Sequence, residues 1–130
     1  MNPLNSSMAL AASGMQARAT RLRLTSENIA NADTPGYRRK TVSFDAAFGA
    51  QSAPGSIETG KVSLDRSALA RIYEPGHPLA DETGHYDGSN VNLIIEIADA
   101  REAQRSYEAN LKMFDQARQM SSSLMELLRR

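Results

Sequence analysis

Residues 3–36 read PLNSSMALAASGMQARATRLRLTSENIANADTPG, and the fold turns on how that stretch is read. Asn2 can accept the first free N–H of a helix, and Pro3 suits the first helical position, where its missing N–H is no loss. Met8, Met15, Leu22 and Ile29 recur every seven residues, and Ala12, Ala19 and Ser26 follow the first three by four. That is a heptad seam with small side chains at alternate layers, which lets a partner helix approach closely. Gln16, Arg18, Arg21 and Glu27 take the opposite positions. The stop is equally explicit: Thr34 precedes a proline and is pushed out of the helical region, and Pro35-Gly36 favours a turn. The spacing predicts one long helix over about residues 3–32.

A second helix is expected over about residues 91–128. Asn90 or Asn92 can cap it, Glu96 and Asp99 lie early, and Arg129 and Arg130 lie at the end that favours cations. Its apolar stripe runs Leu93, Ile97, Ala100, Tyr107, Leu111, Phe114, Ala117, Leu124 and Leu128, interrupted by Gln104 and Ser121. At about 1.5 Å per residue each helix is roughly 45–55 Å long, the scale of a coiled-coil strut. The predicted fold is mainly α. Residues 1–36 and 91–130 pair as an antiparallel, coiled-coil-like hairpin. Residues 37–90 form a small β-containing or extended middle segment. There Lys40, Val42 and Phe44 alternate with Thr41 and Ser43, Val62 and Leu64 follow a Thr59-Gly60 break, and residues 68–73 read as a third strand. Residues 50–55 read as a loop.

The seam predicts Met8, Met15, Leu22 and Ile29 facing Tyr107, Leu111, Phe114 and Leu124. These eight residues are the expected helix-packing and subunit interface. Composition gives the reason to expect partners. Leu, Ile, Val and Phe supply only 24 of 130 residues, whereas Ala supplies 19. Such a chain forms helices readily but has few bulky side chains to bury. A lone hairpin with so small a core is marginal.

Other functions find little support. Lys plus Arg number 15 and Asp plus Glu number 15; this balance gives no electrostatic reason to expect nucleic acid. Arg18, Arg21 and Arg23, and the run Arg38-Arg39-Lys40, read as solvated faces. Without cysteine there is no thiolate nucleophile or thiolate metal site. His77 and His85, with Asp81, Glu82 and Asp87 nearby, match no ligand spacing, so no metal site is expected. No phosphate loop, nucleophile elbow or catalytic carboxylate pair is present. No enzyme activity, cofactor or small-molecule substrate is expected. No apolar run approaches the roughly 20 residues that span a bilayer. The N-terminus MNPLNSSMAL lacks a basic segment before an apolar one, so the residues alone predict no cleaved signal and a cytoplasmic protein.

The run Thr25-Ser26-Glu27-Asn28-Ile29-Ala30-Asn31-Ala32-Asp33-Thr34-Pro35-Gly36-Tyr37-Arg38 resembles the signature of axial proteins of the bacterial flagellum, the basal-body rod family. Its family positions are Ser26, Asn28, Ala30, Asn31, Thr34, Pro35, Gly36 and Tyr37. The connector Tyr73-Glu74-Pro75-Gly76-His77-Pro78 and the later Ser106-Tyr107-Glu108-Ala109-Asn110 resemble the proximal rod branch. Two positions depart from that pattern: Ser89 stands where a proline is usual before Asn-Val, and Leu79 where an aspartate is common.

The resemblance implies a structural subunit that polymerises into the periplasmic drive shaft. It implies partners among copies of itself, other rod proteins, the rod base with its MS-ring adaptor, and the flagellar type III export apparatus, with export without a cleaved signal. This periplasmic rod location replaces the cytoplasmic expectation. Asn28, Asn31 and the Pro35-Gly36 turn are then expected to tie the helix end to the connector or to a neighbouring subunit, against the alternative of exposed amides. The competing functional class is a helical adaptor that binds one partner and never polymerises.

Overall fold

A computed structural model describes residues 2–46 and 55–129. The elements run α1 (Pro3–Ala30), β1 (Lys40–Ala46), β2 (Ile57–Leu64), β3 (Arg71–Tyr73), β4 (His85–Asp87) and α2 (Leu93–Leu128). The architecture is two long helices bracketing a small β-containing middle. α1 starts where Asn2 Oδ1 accepts the Leu4 N–H at 2.9 Å, with Pro3 in the first turn. It ends with Asn31 as C-cap, two residues before the expected end. Thr34, Pro35 and Gly36 then reverse the chain, with Gly36 at φ +74°, a region open to glycine without strain. Of the two candidate caps for α2, Asn92 serves, its side chain accepting from Ile94 and Ile95 N–H.

The helices run antiparallel. Asn28 meets Glu96, and two heptads back along α1, Gly14 lies against Asn110, two heptads forward along α2. The buried stripe of α1 is Ala11, Gly14, Ala17, Leu24, Thr25 and Asn28; that of α2 is Glu96, Ala103 and Ala117. Among the described residues Leu24 is the largest apolar side chain buried. Small residues bring the backbones together, so the pair is held by close approach rather than by bulk.

β1 and β2 form an antiparallel ladder whose register slips between Val42/Val62 and Phe44/Thr59. Gly60 and Lys61 together oppose Ser43 in a bulge, so the Thr59-Gly60 step lies inside one strand and is not the break the sequence predicts. A β-carbon on Gly60 would overlap Ser43 Oγ and come within 2.8 Å of Asp45 Oδ2, so a larger residue in the bulge would have to turn both side chains aside. The ladder is fastened to α1 where Ile57 N–H donates to Ser13 Oγ at 3.2 Å. β3 and β4 make a second, three-residue ladder. Of the loop expected over residues 50–55, only Gly55, in a turn, lies within the described residues.

The surface is large for the mass. The chain exposes 9037 Å² at 14.2 kDa, against about 6,800 Å² for a compact monomer of that size. The excess follows from two long helices with only each other and a thin ladder to cover them.

Candidate functional site

The end of α1, the start of β1 and the first turn of α2 meet at a buried polar junction with Asn28 at its centre. Asn28 Oδ1 accepts from Tyr37 Oη at 2.8 Å and from the Lys40 N–H at 2.8 Å. Its Nδ2 donates to the Lys40 carbonyl at 3.0 Å and to Glu96 Oε2 at 3.3 Å. Both donors and both acceptor sites of one buried amide are thus used. The reciprocal pair with Lys40 mimics a strand partner, so the helix side chain starts β1.

Glu96 is 1% exposed, and what makes this tolerable is Arg39, whose Nε donates to Glu96 Oε1 at 2.6 Å. Arg39 also reaches Asp65 at 3.3 Å and Asp99 at 3.8 Å. Burial works against the Arg39 charge, but the bonds from Glu96 and Asp65 outweigh it and raise its pKa. Burial likewise pushes the Tyr37 hydroxyl up. The Ser67 N–H, then Arg39, hold Asp65 below the usual carboxylate range. Lys40 does the same for Glu27 at 3.0 Å.

A second layer closes the junction from the connector. Asn90 Oδ1 accepts the Arg39 N–H at 2.7 Å while its Nδ2 donates to the Asp65 carbonyl at 3.0 Å. The Gly36 N–H donates to the Asp87 and Gly88 carbonyls at 3.2 and 3.1 Å. Ser89 Oγ donates to the Ala32 carbonyl and accepts the Val91 N–H at 3.3 Å. Ser89, the departure from the rod pattern, therefore satisfies the Ala32 carbonyl in the turn that follows α1, which a proline side chain has no atom to do.

The connector residues sit on the β3–β4 hairpin. His77 stacks on Tyr86 at 3.9 Å and Tyr73 tilts against His85 at 5.0 Å. Asp81 accepts from Thr83 Oγ1 at 2.6 Å, Arg71 at 2.7 Å and the His85 N–H at 3.1 Å. Thr83 first, then Arg71, depress its pKa strongly. Gly76 follows Pro75 in the turn before His77. Gly84, at φ +82°, is packed so that a β-carbon would meet Tyr73 Cε2 at 2.9 Å. Pro75 and Pro78 are exposed. Among the described residues no group of three or more His, Cys, Asp or Glu side chains is arranged to hold a metal.

The signature residues divide. Asn28 is buried and Tyr37 half-buried. The Asn31 amide stays local, donating to the Glu27 carbonyl at 2.8 Å and accepting from Thr34 at 3.1 Å. Ser26, Ala30, Thr34 and Pro35 are exposed. The seam residues Met8, Met15, Leu22 and Ile29 are half-buried, as are Tyr107 and Phe114, while Leu111 and Leu124 are exposed. The buried stripe of α1 runs instead through Gly14 and Asn28, each one position before a seam residue and so about 100° round the helix. Sequence reasoning read Glu96 as a dipole partner and Arg39 as a solvated charge. No local signal links the two, since they stand 57 residues apart in the chain. Only the folded connector brings them together.

Two family models match the chain: the flagella basal body rod protein model over residues 8–38, and the flagellar basal body rod FlgEFG protein C-terminal model over residues 82–127. They bracket the two helices and take in Asn28, Tyr37, Asn90 and Glu96. The chain is 44% identical to the flagellar basal-body rod protein FlgC of Agrobacterium fabrum, over 99% of this chain and 98% of that protein. It is 31% identical to the FlgC of Salmonella typhimurium, over 91% and 92%, and 29% identical to that of Borreliella burgdorferi, over 96% and 97%.

Proposed function

The chain belongs to the FlgC-like flagellar basal-body rod protein family and is a structural subunit of the rod; from that premise we propose that it polymerises through its terminal helices into the proximal, periplasmic part of the drive shaft. The observation that carries this is the exposed apolar face of α2: Ile94 is 80% exposed and Leu128 85%, with Ile95, Met113, Met120, Leu124, Met125 and Leu127 each at least half exposed. A monomer whose buried apolar side chains, among the described residues, are four alanines and Leu24, while isoleucines, leucines and methionines stand exposed, is built for partners. Residues 1–36 and 91–130 form the assembling unit and residues 37–90 an outer arm that the polar junction holds in place. The Met8, Met15, Leu22 and Ile29 stripe, half-open beside the internal one, joins Leu111 and Leu124 as contact surface between subunits.

Copies of the chain and other rod proteins are its partners along the shaft. The rod base with its MS-ring adaptor and the type III export apparatus complete the set, export using no cleaved signal. A pair of helices with so thin a core opens easily for passage through a narrow channel and gains its stability on assembly. Deletion of the gene, followed by electron microscopy of isolated basal bodies, tests the reading. Membrane rings without a completed rod, restored by the wild-type gene, are expected; intact rods and normal swimming overturn it. Sedimentation of the purified chain at rising concentration, alone and with other rod proteins, separates a polymer from the one-partner adaptor.

A further inference from the structure

Outside the two helices, the large apolar side chains left exposed among the described residues fall into two groups. Val62 and Leu64 stand on β2, and Ile72, Tyr73 and Leu79 stand on the β3–β4 hairpin. The groups differ in the charges beside them. Lys61 and Arg66 flank the first, whereas Glu74 and Glu82 lie beside the second. All four are exposed, and none has an ion-pair partner among the described residues. Asp65, between Leu64 and Arg66, is taken by Arg39, and Glu58 lies toward the far end of β2, opposite Asp45. The charge of the chain divides the same way. Residues 71–87 hold one base, Arg71, against four acids, a net charge of −3. Residues 1–70 hold eight bases against five acids, a net charge of +3, and residues 88–130 hold six of each. The hairpin is thus the negative segment of the molecule, and the half that carries β2 is the positive one.

The hairpin also holds its own shape. Among the described residues β3 and β4 pack on each other and on no other helix or strand. Arg71 nevertheless binds Asp81 and Asp87 at 2.7 and 2.9 Å, His77 stacks on Tyr86, and Pro75 and Pro78 restrict the backbone of the tip. A projection fixed in advance loses little freedom when it meets a partner. We propose that the β3–β4 hairpin of one copy docks on the Lys61–Arg66 segment of a second copy; the proposal rests on the polymerising reading above. Tyr73 and Leu79, 66% and 62% exposed, cover Val62 and Leu64, while Glu74 and Glu82 face Lys61 and Arg66. The apolar contact supplies affinity, and the exposed charges steer and orient it. Like charges disfavour hairpin on hairpin and segment on segment, so the contact joins two different surfaces. Within one copy those surfaces lie on strands that do not touch. A head-to-tail contact of this kind propagates into an open helical array or a ring rather than closing as a twofold dimer.

The test uses the full chain under conditions where the wild type sediments as polymer. The neutral variant Glu74→Gln, Glu82→Gln is expected to melt with the wild type when dilute, since neither carboxylate pairs with the rest of its own chain. It should raise the concentration needed for polymer by about tenfold or more. Two charge reversals complete the set: Glu74→Lys, Glu82→Lys in one chain, and Lys61→Glu, Arg66→Glu in another. Each should fail to polymerise alone, and the two should co-polymerise when mixed, because each then offers the charge the other lacks. A neutral variant that polymerises like wild type, or that melts below it, overturns the docking role and leaves the polymerising reading standing. Loss of polymer without recovery in the mixture overturns the Lys61–Arg66 segment as the seat of the hairpin. A wild-type chain that stays monomeric at every concentration removes the polymerising reading first and the docking contact with it.

Discussion

Gly14 of α1 packs so closely on Asn110 of α2 that a β-carbon at position 14 would lie 2.7 Å from the Asn110 amide nitrogen. That nitrogen is already committed, donating to the Ser106 carbonyl at 2.9 Å. The helices cross here at the distance a missing methyl permits, which is how a chain with so few bulky residues still forms a hairpin. Gly14→Ala gains about 1 kcal/mol of helix propensity but forces the amide off its carbonyl. The net expectation is a loss of about 1–2 kcal/mol in urea unfolding. Adding Asn110→Ala should recover part of that loss, giving a coupling of about 1 kcal/mol in the double-mutant cycle.

Asn28→Ala strands the Lys40 N–H, the Tyr37 hydroxyl and one Glu96 oxygen together, and is expected to cost about 3 kcal/mol. Asn31→Ala, which removes a bond to its own helix, should cost about 1 kcal/mol or less. Equal losses in denaturant titrations of the two variants would contradict the central place given to Asn28. Arg39→Met leaves Glu96 buried and unpaired and should be the most damaging of the three, at about 3–5 kcal/mol.

Assembly and folding are expected to separate by face. Leu24→Ala, in the buried stripe, should lower monomer stability by about 2–4 kcal/mol. Ile94→Asp and Leu128→Asp, on the exposed face of α2, should leave the monomer within about 0.5 kcal/mol of wild type and abolish polymer. Calorimetry of dilute protein and sedimentation of concentrated protein read the two effects independently.

The β3–β4 hairpin carries an acid dependence. Asp81 is depressed from an ordinary value of 3.8 by Thr83, Arg71 and His85. A depressed carboxylate stabilises the fold above its ordinary range, and that contribution fades as pH falls from there through the lower folded value. Proton NMR of the His85 and Tyr73 rings should therefore show the hairpin intact at neutral pH and loosening only well below pH 3.8. Asp81→Asn should loosen it at every pH and remove this limb of the acid transition.

Much of this was legible in the residues. Asn2-Pro3, Thr34-Pro35-Gly36 and Asn92 mark helix ends because capping and proline geometry act over a few residues, within reach of a local reading. β1 follows from alternation in Lys40–Phe44. β4, only His85–Asp87, has no such pattern and exists because β3 lies beside it. The Gly60 bulge was invisible for the same reason, since a bulge is a property of two strands in register.

The sequence alone determined that two long helices bracket a short β-containing arm and that α1 offers faces at heptad spacing. The tertiary structure decided which face turns inward. Periodicity lists stripes but does not rank them, and both the Met8–Ile29 stripe and the one through Gly14 and Asn28 keep the same step. The second packs inside because Gly14, Ala17 and Ala103 allow near approach and because Asn28, at its end, finds Tyr37, Lys40 and Glu96. Those partners are 9, 12 and 68 residues away, and their free energy exists only once the chain has brought them together.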